Sequence, residues 1–170
     1  MATTATGRIG RLRLARERRN RAKRFRPVMP REAGIAVRQA HAKIRILIAD
    51  DHPIIRKMVR STLEEHPRFE VCGEVFDGSK AIEAAEILKP DVVVLNITMP
   101  VLNGIEAARV IRDRVPESAI VILSTHADAR LIEVARRIGA RAFVAKTSAG
   151  EALVKAIEAA IEGGDFVLMD

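Results

Sequence analysis

The chain has 170 residues, enough for one domain with a tail, and its 48% of hydrophobic residues excludes a chain that is disordered throughout. A single cysteine, Cys72, excludes an internal disulfide and indicates a reducing compartment. No apolar run reaches the ~18–20 residues that a membrane-spanning helix needs, and the lack of Trp and Tyr argues against stacking of bases or sugars on aromatic rings.

The positive charge is concentrated at the N-terminus. Residues 1–43 hold 13 Lys and Arg against 2 Asp and Glu, a net charge of +11, whereas residues 44–170 hold 16 against 20, a net charge of −4. We expect residues 1–43 to form a basic, disordered extension and linker, because Pro27 and Pro30 end any helix there. Clustered arginines favour binding to nucleic acid or to an anionic membrane surface. A transit peptide and a plain solvated tail are the alternatives.

From Ile44 onward, short apolar runs alternate with stretches whose apolar residues recur at helical spacing. Ser148 is predicted to cap the last of five helices. Strands that alternate with helices in this way predict a parallel sheet with helices on both faces. The five predicted strands are Ile44–Ala49, Phe69–Phe76, Val92–Leu95, Ala119–Leu123 and Arg141–Ala145.

Polar side chains follow four of the predicted strands. Asp50 and Asp51 follow the first, Asn96 the third, Ser124 the fourth and Lys146 the fifth. Because ligand sites in such sheets lie at the carboxyl ends of the strands, we expect these side chains to share one cleft. Carboxylate oxygens are ligands that Mg²⁺ prefers. Lys146 and Ser124 can donate hydrogen bonds to the oxygens of a phosphoryl group. The alternative is that the two aspartates only cap the first helix.

These residues give the chain from Ile44 to Asp170 a resemblance to the receiver domain of bacterial two-component response regulators. It most resembles the branch that usually precedes a helix-turn-helix DNA-binding domain. The resemblance implies one receiver domain over residues 44–170, with a flavodoxin-like, doubly wound α/β fold whose five parallel strands have the order 2-1-3-4-5. The matching segments are IRILIADDHPIIR, DVVVLNITMPVLNGIEAARVIR, IVILST and ARAFVAKTS.

The resemblance also implies a metal site and an acceptor position. Asp50 and Asp51 match the acidic pair that binds Mg²⁺, and the backbone carbonyl of Thr98 matches the third protein ligand. Asn96 occupies the place of the aspartate that accepts the phosphoryl group. Three further positions match the switch of the family. Ser124 and Lys146 match the hydroxyl and the lysine that contact the phosphoryl group, and Phe143 matches the aromatic residue whose rotamer reports the change.

Asn96 is the departure from the family that decides the mechanism. An ionised aspartate, with a reference pKa near ~3.9, attacks phosphorus and forms an acyl phosphate. A carboxamide is neutral and its nitrogen lone pair is delocalised, so we expect no phosphorylation at this position. With two carboxylates in place of three, the affinity for Mg²⁺ should also fall. The sequence leaves open whether Asn96 is natural or an introduced substitution.

The leading hypothesis is a stand-alone, non-enzymatic and cytoplasmic receiver module in phosphorelay signalling. Its expected partner is a sensor histidine kinase or a phosphotransfer protein, and residues 127–162 form an expected surface for a homodimer or for docking onto another protein. One alternative is a nucleic-acid- or membrane-associated adaptor that binds through the basic N-terminal arm. Another is a metal-dependent phosphatase that uses Asp50 and Asp51, although it would lack a nucleophile after the third strand. We expect His52 and His126 to be partly exposed, and Cys72 to be a small core residue.

Overall fold

Strands and helices alternate along residues 43–169, the part of the chain that this computed structural model describes. The basic extension predicted for residues 1–43 lies outside the described residues, apart from Lys43. The strands are β1 Ile44–Ala49, β2 Phe69–Val75, β3 Val92–Asn96, β4 Ala119–Ser124, β5 Ala142–Ala145 and β6 Val167–Met169. The helices are α1 Pro53–Glu64, α2 Gly78–Leu88, α3 Gly104–Arg114, α4 Ala129–Arg137 and α5 Glu151–Glu162. Of the helices in this range, none combines the length and hydropathy that crossing a membrane requires.

The strands form one parallel sheet in the order β2-β1-β3-β4-β5-β6. The predicted order 2-1-3-4-5 is therefore confirmed, but the predicted number of five strands is wrong, since the described residues form six. The added strand, β6, pairs with β5 through Ala142 opposite Val167. Three residues are too short a run to show the period of a strand, so β6 left no signal in the sequence.

Both faces of the sheet are covered, as the apolar strands predict. In β3, Val92 and Val94 join a core with residues of α1 and α5, whereas Val93 and Leu95 join a second core with residues of α2, α3 and α4. Successive side chains of a strand point to opposite faces, so one continuous apolar run fills two cores. The central strands thereby become rigid supports for the polar residues that follow them.

Side-chain caps fix where three of the helices begin. Asp77, Asn103 and Asp128 precede α2, α3 and α4, and each accepts a hydrogen bond from a backbone N–H of the first turn. The cap predicted at Ser148 is wrong: the chain first makes a 3₁₀ turn over Lys146–Ser148, and Gly150 is the residue that precedes α5. The sequence Ser148-Ala149-Gly150 offers no signal that places the start of α5 at Glu151 rather than directly after Ser148.

Gly104 lets the start of α3 lie directly against the end of β3. A Cβ atom at this position would lie under 3.0 Å from the carbonyl oxygen of Asn96, closer than real Cβ atoms come. The Gly104 N–H also donates to the carbonyl oxygen of Ile97 at 2.8 Å. The absence of a side chain at residue 104 therefore sets how tightly the loop after Asn96 folds back.

We expect Gly104→Ala to destabilise the protein by about 1–3 kcal/mol, because the added methyl group must push the carbonyl of Asn96 aside. In an unobstructed helix the same change would stabilise by about 0.5–1 kcal/mol. Gly164→Ala is the control, since a Cβ there would have its nearest neighbour, the oxygen of Ala159, at 3.9 Å. Urea unfolding measures both variants. A Gly104→Ala protein as stable as the parent would contradict this account of the loop.

Candidate functional site

The pairing of β1 with β3 brings Asp50 and Asn96 side by side at the carboxyl edge of the sheet. Ala49 lies opposite Leu95 in the parallel register, so the next residue of each strand is a neighbour of the other. Both side chains are buried, with Asp50 only 1% exposed and Asn96 4% exposed. Asp51 extends toward solvent, with 29% of its side chain exposed. The structure thus gathers the first three predicted site residues at one edge.

Lys146 reaches this edge from the end of β5 and forms an ion pair with Asp50. The distance from Nζ to Oδ2 is 2.5 Å, and the two side chains are 7% and 2% exposed. No described group donates a hydrogen bond of regular geometry to Oδ2, so the pair is held by charge at close range rather than by a well-aligned bond. The other oxygen, Oδ1, accepts from the backbone N–H of His52 at 2.9 Å. Asp50 is therefore compensated by the ammonium group of Lys146.

The carboxamide of Asn96 connects the two loops that border the site. Its Nδ2 donates to Oδ1 of Asp51 at 2.9 Å and to the carbonyl oxygen of Thr98 at 2.7 Å. Both partners can only accept at these atoms, since one is a carboxylate oxygen and the other a backbone carbonyl. A flipped amide would place its own oxygen against them, so the hydrogen-bond network fixes the amide in the observed orientation.

The turn after β1 and the start of α1 each add one basic residue to the site. His52 is mostly exposed, and its Nδ1 lies 2.9 Å from Oδ1 of Asp51 and 3.3 Å from Oδ1 of Asp50. Arg56 donates from a terminal guanidinium nitrogen to the carbonyl oxygen of Asp50 at 2.6 Å. The sequence analysis missed Arg56. A basic residue one turn into the helix that follows the two aspartates was the available signal.

Ser124 and Phe143 lie apart from this hydrogen-bonded group. Ser124 is buried at the end of β4 beside Ala145, and its hydroxyl oxygen accepts from the N–H of His126 at 3.1 Å. Phe143 is fully buried in the core that faces α2, α3 and α4. Among the described residues, no hydrogen bond joins either side chain to Asp50 or Asp51. Their predicted switch roles stay predictions.

A magnesium ion does not fit the side chains as they lie. Asp50, Asp51 and His52 each offer one ligand atom within 4.8 Å of the others, and carboxylate oxygens are ligands that Mg²⁺ favours. Asn96, however, turns its nitrogen rather than its oxygen toward the carboxylate of Asp51 and the carbonyl of Thr98. Two of the predicted ligand oxygens already accept hydrogen bonds, and Asp50 already has a cationic partner.

Cys72 lies in β2, on the strand next to β1 but away from the site. Its thiol is half-buried and donates to the carbonyl oxygen of Ile46 at 3.4 Å. Burial raises the pKa of the Cys72 thiol above its ordinary value, and the charge of Arg45 opposes this only in part. A raised pKa lowers the fraction of reactive thiolate, which agrees with a packing role for this residue.

We expect Lys146→Met to destabilise the protein by about 3–5 kcal/mol, because it leaves the buried carboxylate of Asp50 without its cation. Lys155→Met is the matched control. Lys155 pairs with Glu151 at 3.4 Å, but both side chains are mostly exposed, so its loss should cost less than about 1 kcal/mol. Chemical denaturation with both variants gives the comparison. Equal losses would show that the Lys146–Asp50 pair contributes no more than a surface pair.

Known proteins are similar to this chain in sequence and in fold. Residues 46–158 match the family model of the response regulator receiver domain. The chain is 35% identical over 125 residues to the transcriptional regulatory protein DegU of Brevibacillus brevis, a match that covers 74% of this chain and 53% of DegU. It is 40% identical over 107 residues to a protein-glutamate methylesterase/protein-glutamine glutaminase of Pyrococcus abyssi, covering 62% of this chain and 29% of that protein. The chain thus spans about half, or less, of the length of these relatives.

A solved structure agrees with these matches. The two-component response regulator of the LuxR family from Aurantimonas superposes with a TM-score of 0.70 at 35% identity, covering 74% of this chain and 89% of that one. The family match covers more than half of the chain, and the sheet keeps the strand order that the resemblance implied, with β6 added next to β5. The chain therefore belongs to the family of response regulator receiver domains.

Proposed function

We propose that this receiver domain acts as a protein-interaction module in two-component signal transduction and is not phosphorylated at residue 96. The observation that carries the proposal is the position of Asn96. It ends β3, its side chain is 2.9 Å from Asp51, and it lies two residues before Thr98. The sequence resemblance assigns the acceptor aspartate to this place.

The chemistry of a carboxamide supports the absence of phosphorylation. Covalent transfer to a receiver needs a carboxylate oxygen with an available electron pair to attack phosphorus. The oxygen of Asn96 carries no full negative charge, and its nitrogen has a delocalised lone pair and two engaged protons. Of the two carboxylates of the site, Asp51 is the one whose side chain is partly exposed. It follows β1, however, and already accepts a hydrogen bond from Asn96. That the chain is not an enzyme stays a prediction.

Exposed apolar side chains near the site favour a protein partner. Ile54 is 82% exposed in the first turn of α1, and Val101 is 85% exposed in the loop after β3. Phe76, which follows β2, and Met58 of α1 are also exposed. Such a group beside a polar site is typical of an interaction surface. We propose that it binds a sensor histidine kinase or a phosphotransfer protein in the cytoplasm.

Self-association through residues 127–162 and binding through the basic extension stay predictions. β6, which lies just outside the first of these segments, pairs along the edge of β5 that would otherwise be open. A dimer through this surface would therefore have to use the faces of α4 and α5 rather than strand pairing at β5. The second proposal concerns residues 1–43, which lie outside the described part apart from Lys43.

We expect the purified chain to gain no mass on incubation with acetyl phosphate and Mg²⁺, because no acceptor carboxylate stands at the end of β3. Asn96→Asp should gain one phosphoryl group, since Asp50, Asp51 and Lys146 are in place. Intact-mass spectrometry measures both proteins, and alkaline hydrolysis identifies an acyl phosphate. Stoichiometric phosphorylation of the parent chain would defeat the proposal. A folded Asn96→Asp protein that stays unmodified would show that the rest of the pocket is defective.

A second prediction concerns the exposed apolar surface. Ile54→Ser should weaken binding to a cognate histidine-kinase phosphotransfer domain about tenfold or more, because an apolar anchor is lost. Ile87→Ser is the matched control: Ile87 is 79% exposed but belongs to the last turns of α2, away from the carboxyl edge. Calorimetric titration against purified kinase domains of the same organism measures both. If the two changes weaken binding equally, the surface around Ile54 is not the docking site.

A further inference from the structure

Asp51 and Thr98 share one donor in this structure. The oxygens that the resemblance assigns to a metal ion, Oδ1 of Asp51 and the carbonyl of Thr98, lie 2.9 and 2.7 Å from the same nitrogen of Asn96. That nitrogen has two protons, and each proton has one acceptor. Asn96 is 4% exposed, so water competes little for these bonds.

We propose that the carboxamide of Asn96 takes the structural place of a divalent cation and links the turn after β1 to the loop after β3 without metal. The inference rests on the proposed function only for the assignment of position 96. Like a cation, the amide group offers partial positive charge, on its two N–H hydrogens, to oxygens from two loops. Unlike a cation, it is covalently part of β3, so the link does not depend on any ion concentration.

The site accommodates its two carboxylates without a metal ion. The ammonium group of Lys146 compensates Asp50 at 2.5 Å. Asp51 keeps contact with water and receives hydrogen bonds from Asn96 and from the neighbouring imidazole of His52. With an aspartate at position 96, a third carboxylate would enter the same edge, and the repulsion between the carboxylates would call for a cation. The neutral amide removes that requirement.

The loop after β3 has further anchors that need no metal. Gly104 donates its N–H to the oxygen of Ile97 at 2.8 Å, and Leu102 donates to the oxygen of Pro100 at 2.7 Å. The oxygen of Leu102 in turn accepts from the N–H of Gly78 at the start of α2, at 3.1 Å. The hydrogen bond from the Asn96 side chain to the carbonyl oxygen of Thr98 holds the loop on the side near Asp51. The loop is thereby held at both ends and at its inner side.

The test compares the full chain with Asn96→Asp and with Asn103→Asp. Asn103 is the matched control, because the change adds the same charge near the same edge while an aspartate still caps α3. Each protein is unfolded by heat with a chelator and with Mg²⁺. We expect the parent and Asn103→Asp to shift in Tm by less than about 1 °C, and Asn96→Asp to rise by about 3 °C or more.

A second measurement compares the parent chain with Asn96→Asp. Mn²⁺ titration followed by NMR should leave the resonances of Asp51 and Thr98 unbroadened at concentrations that erase them in Asn96→Asp. The side-chain amide protons of Asn96 should also exchange slowly, with or without Mg²⁺.

The outcomes separate this inference from the proposed function. A parent chain that gains stability from Mg²⁺, or loses those two resonances with Mn²⁺, overturns the inference and leaves the proposed function standing. An Asn103→Asp protein that responds like Asn96→Asp also overturns it, since the effect is then one of charge alone. A folded Asn96→Asp protein that ignores both ions overturns the assignment of position 96, and the proposed function with it.

Discussion

The geometry of the site depends on the parallel pairing of β1 with β3. Ala49 opposite Leu95 is the last pair of the two strands, and Asp50 and Asn96 are the residues that come next. A slip of one residue would turn the apolar residues of a strand to the wrong face, and Ile48 and Ala49 belong to different cores. The register cannot shift without exposing one of these cores. Burial of apolar side chains some distance from the site therefore positions its polar atoms.

The second constraint is that the buried charge of Asp50 must be compensated, and the compensating cation comes from a strand that is not a neighbour of β1. Lys146 follows β5, which is separated from β1 by two strands in the sheet order, yet its ammonium group reaches Asp50. A buried ion pair costs desolvation that its attraction offsets only when the geometry is close. Because position 96 is neutral, one lysine and the solvent contact of Asp51 suffice. An aspartate there would leave the same cleft with two uncompensated negative charges.

Much of the fold was predictable because apolar runs and helix breakers are local signals. The strand runs and the gathering of Asp50, Asp51 and Asn96 followed from them, whereas the strand order came from the resemblance to the receiver family. β6 was not predicted, because three residues are too few to show the period of a strand. The start of α5 was not predicted either, because Gly150 has no side chain that could cap the helix. The orientation of the Asn96 amide was also out of reach. It depends on which neighbouring atoms can only accept, and that is a property of the assembled site.

The permanent nature of an amide link changes what such a module can sense. A bound ligand shifts a conformational equilibrium only by its difference in affinity for the two states. A phosphoryl group or a metal ion that does not bind supplies no such difference. Under the proposed function, with Asn96 joining Asp51 to the loop at Thr98, the remaining input is the binding of a partner. The exposed group around Ile54 and Val101 lies where that partner would meet the fixed loop. Concentration of the partner, rather than turnover of a phosphate, would then set how much of the module is engaged.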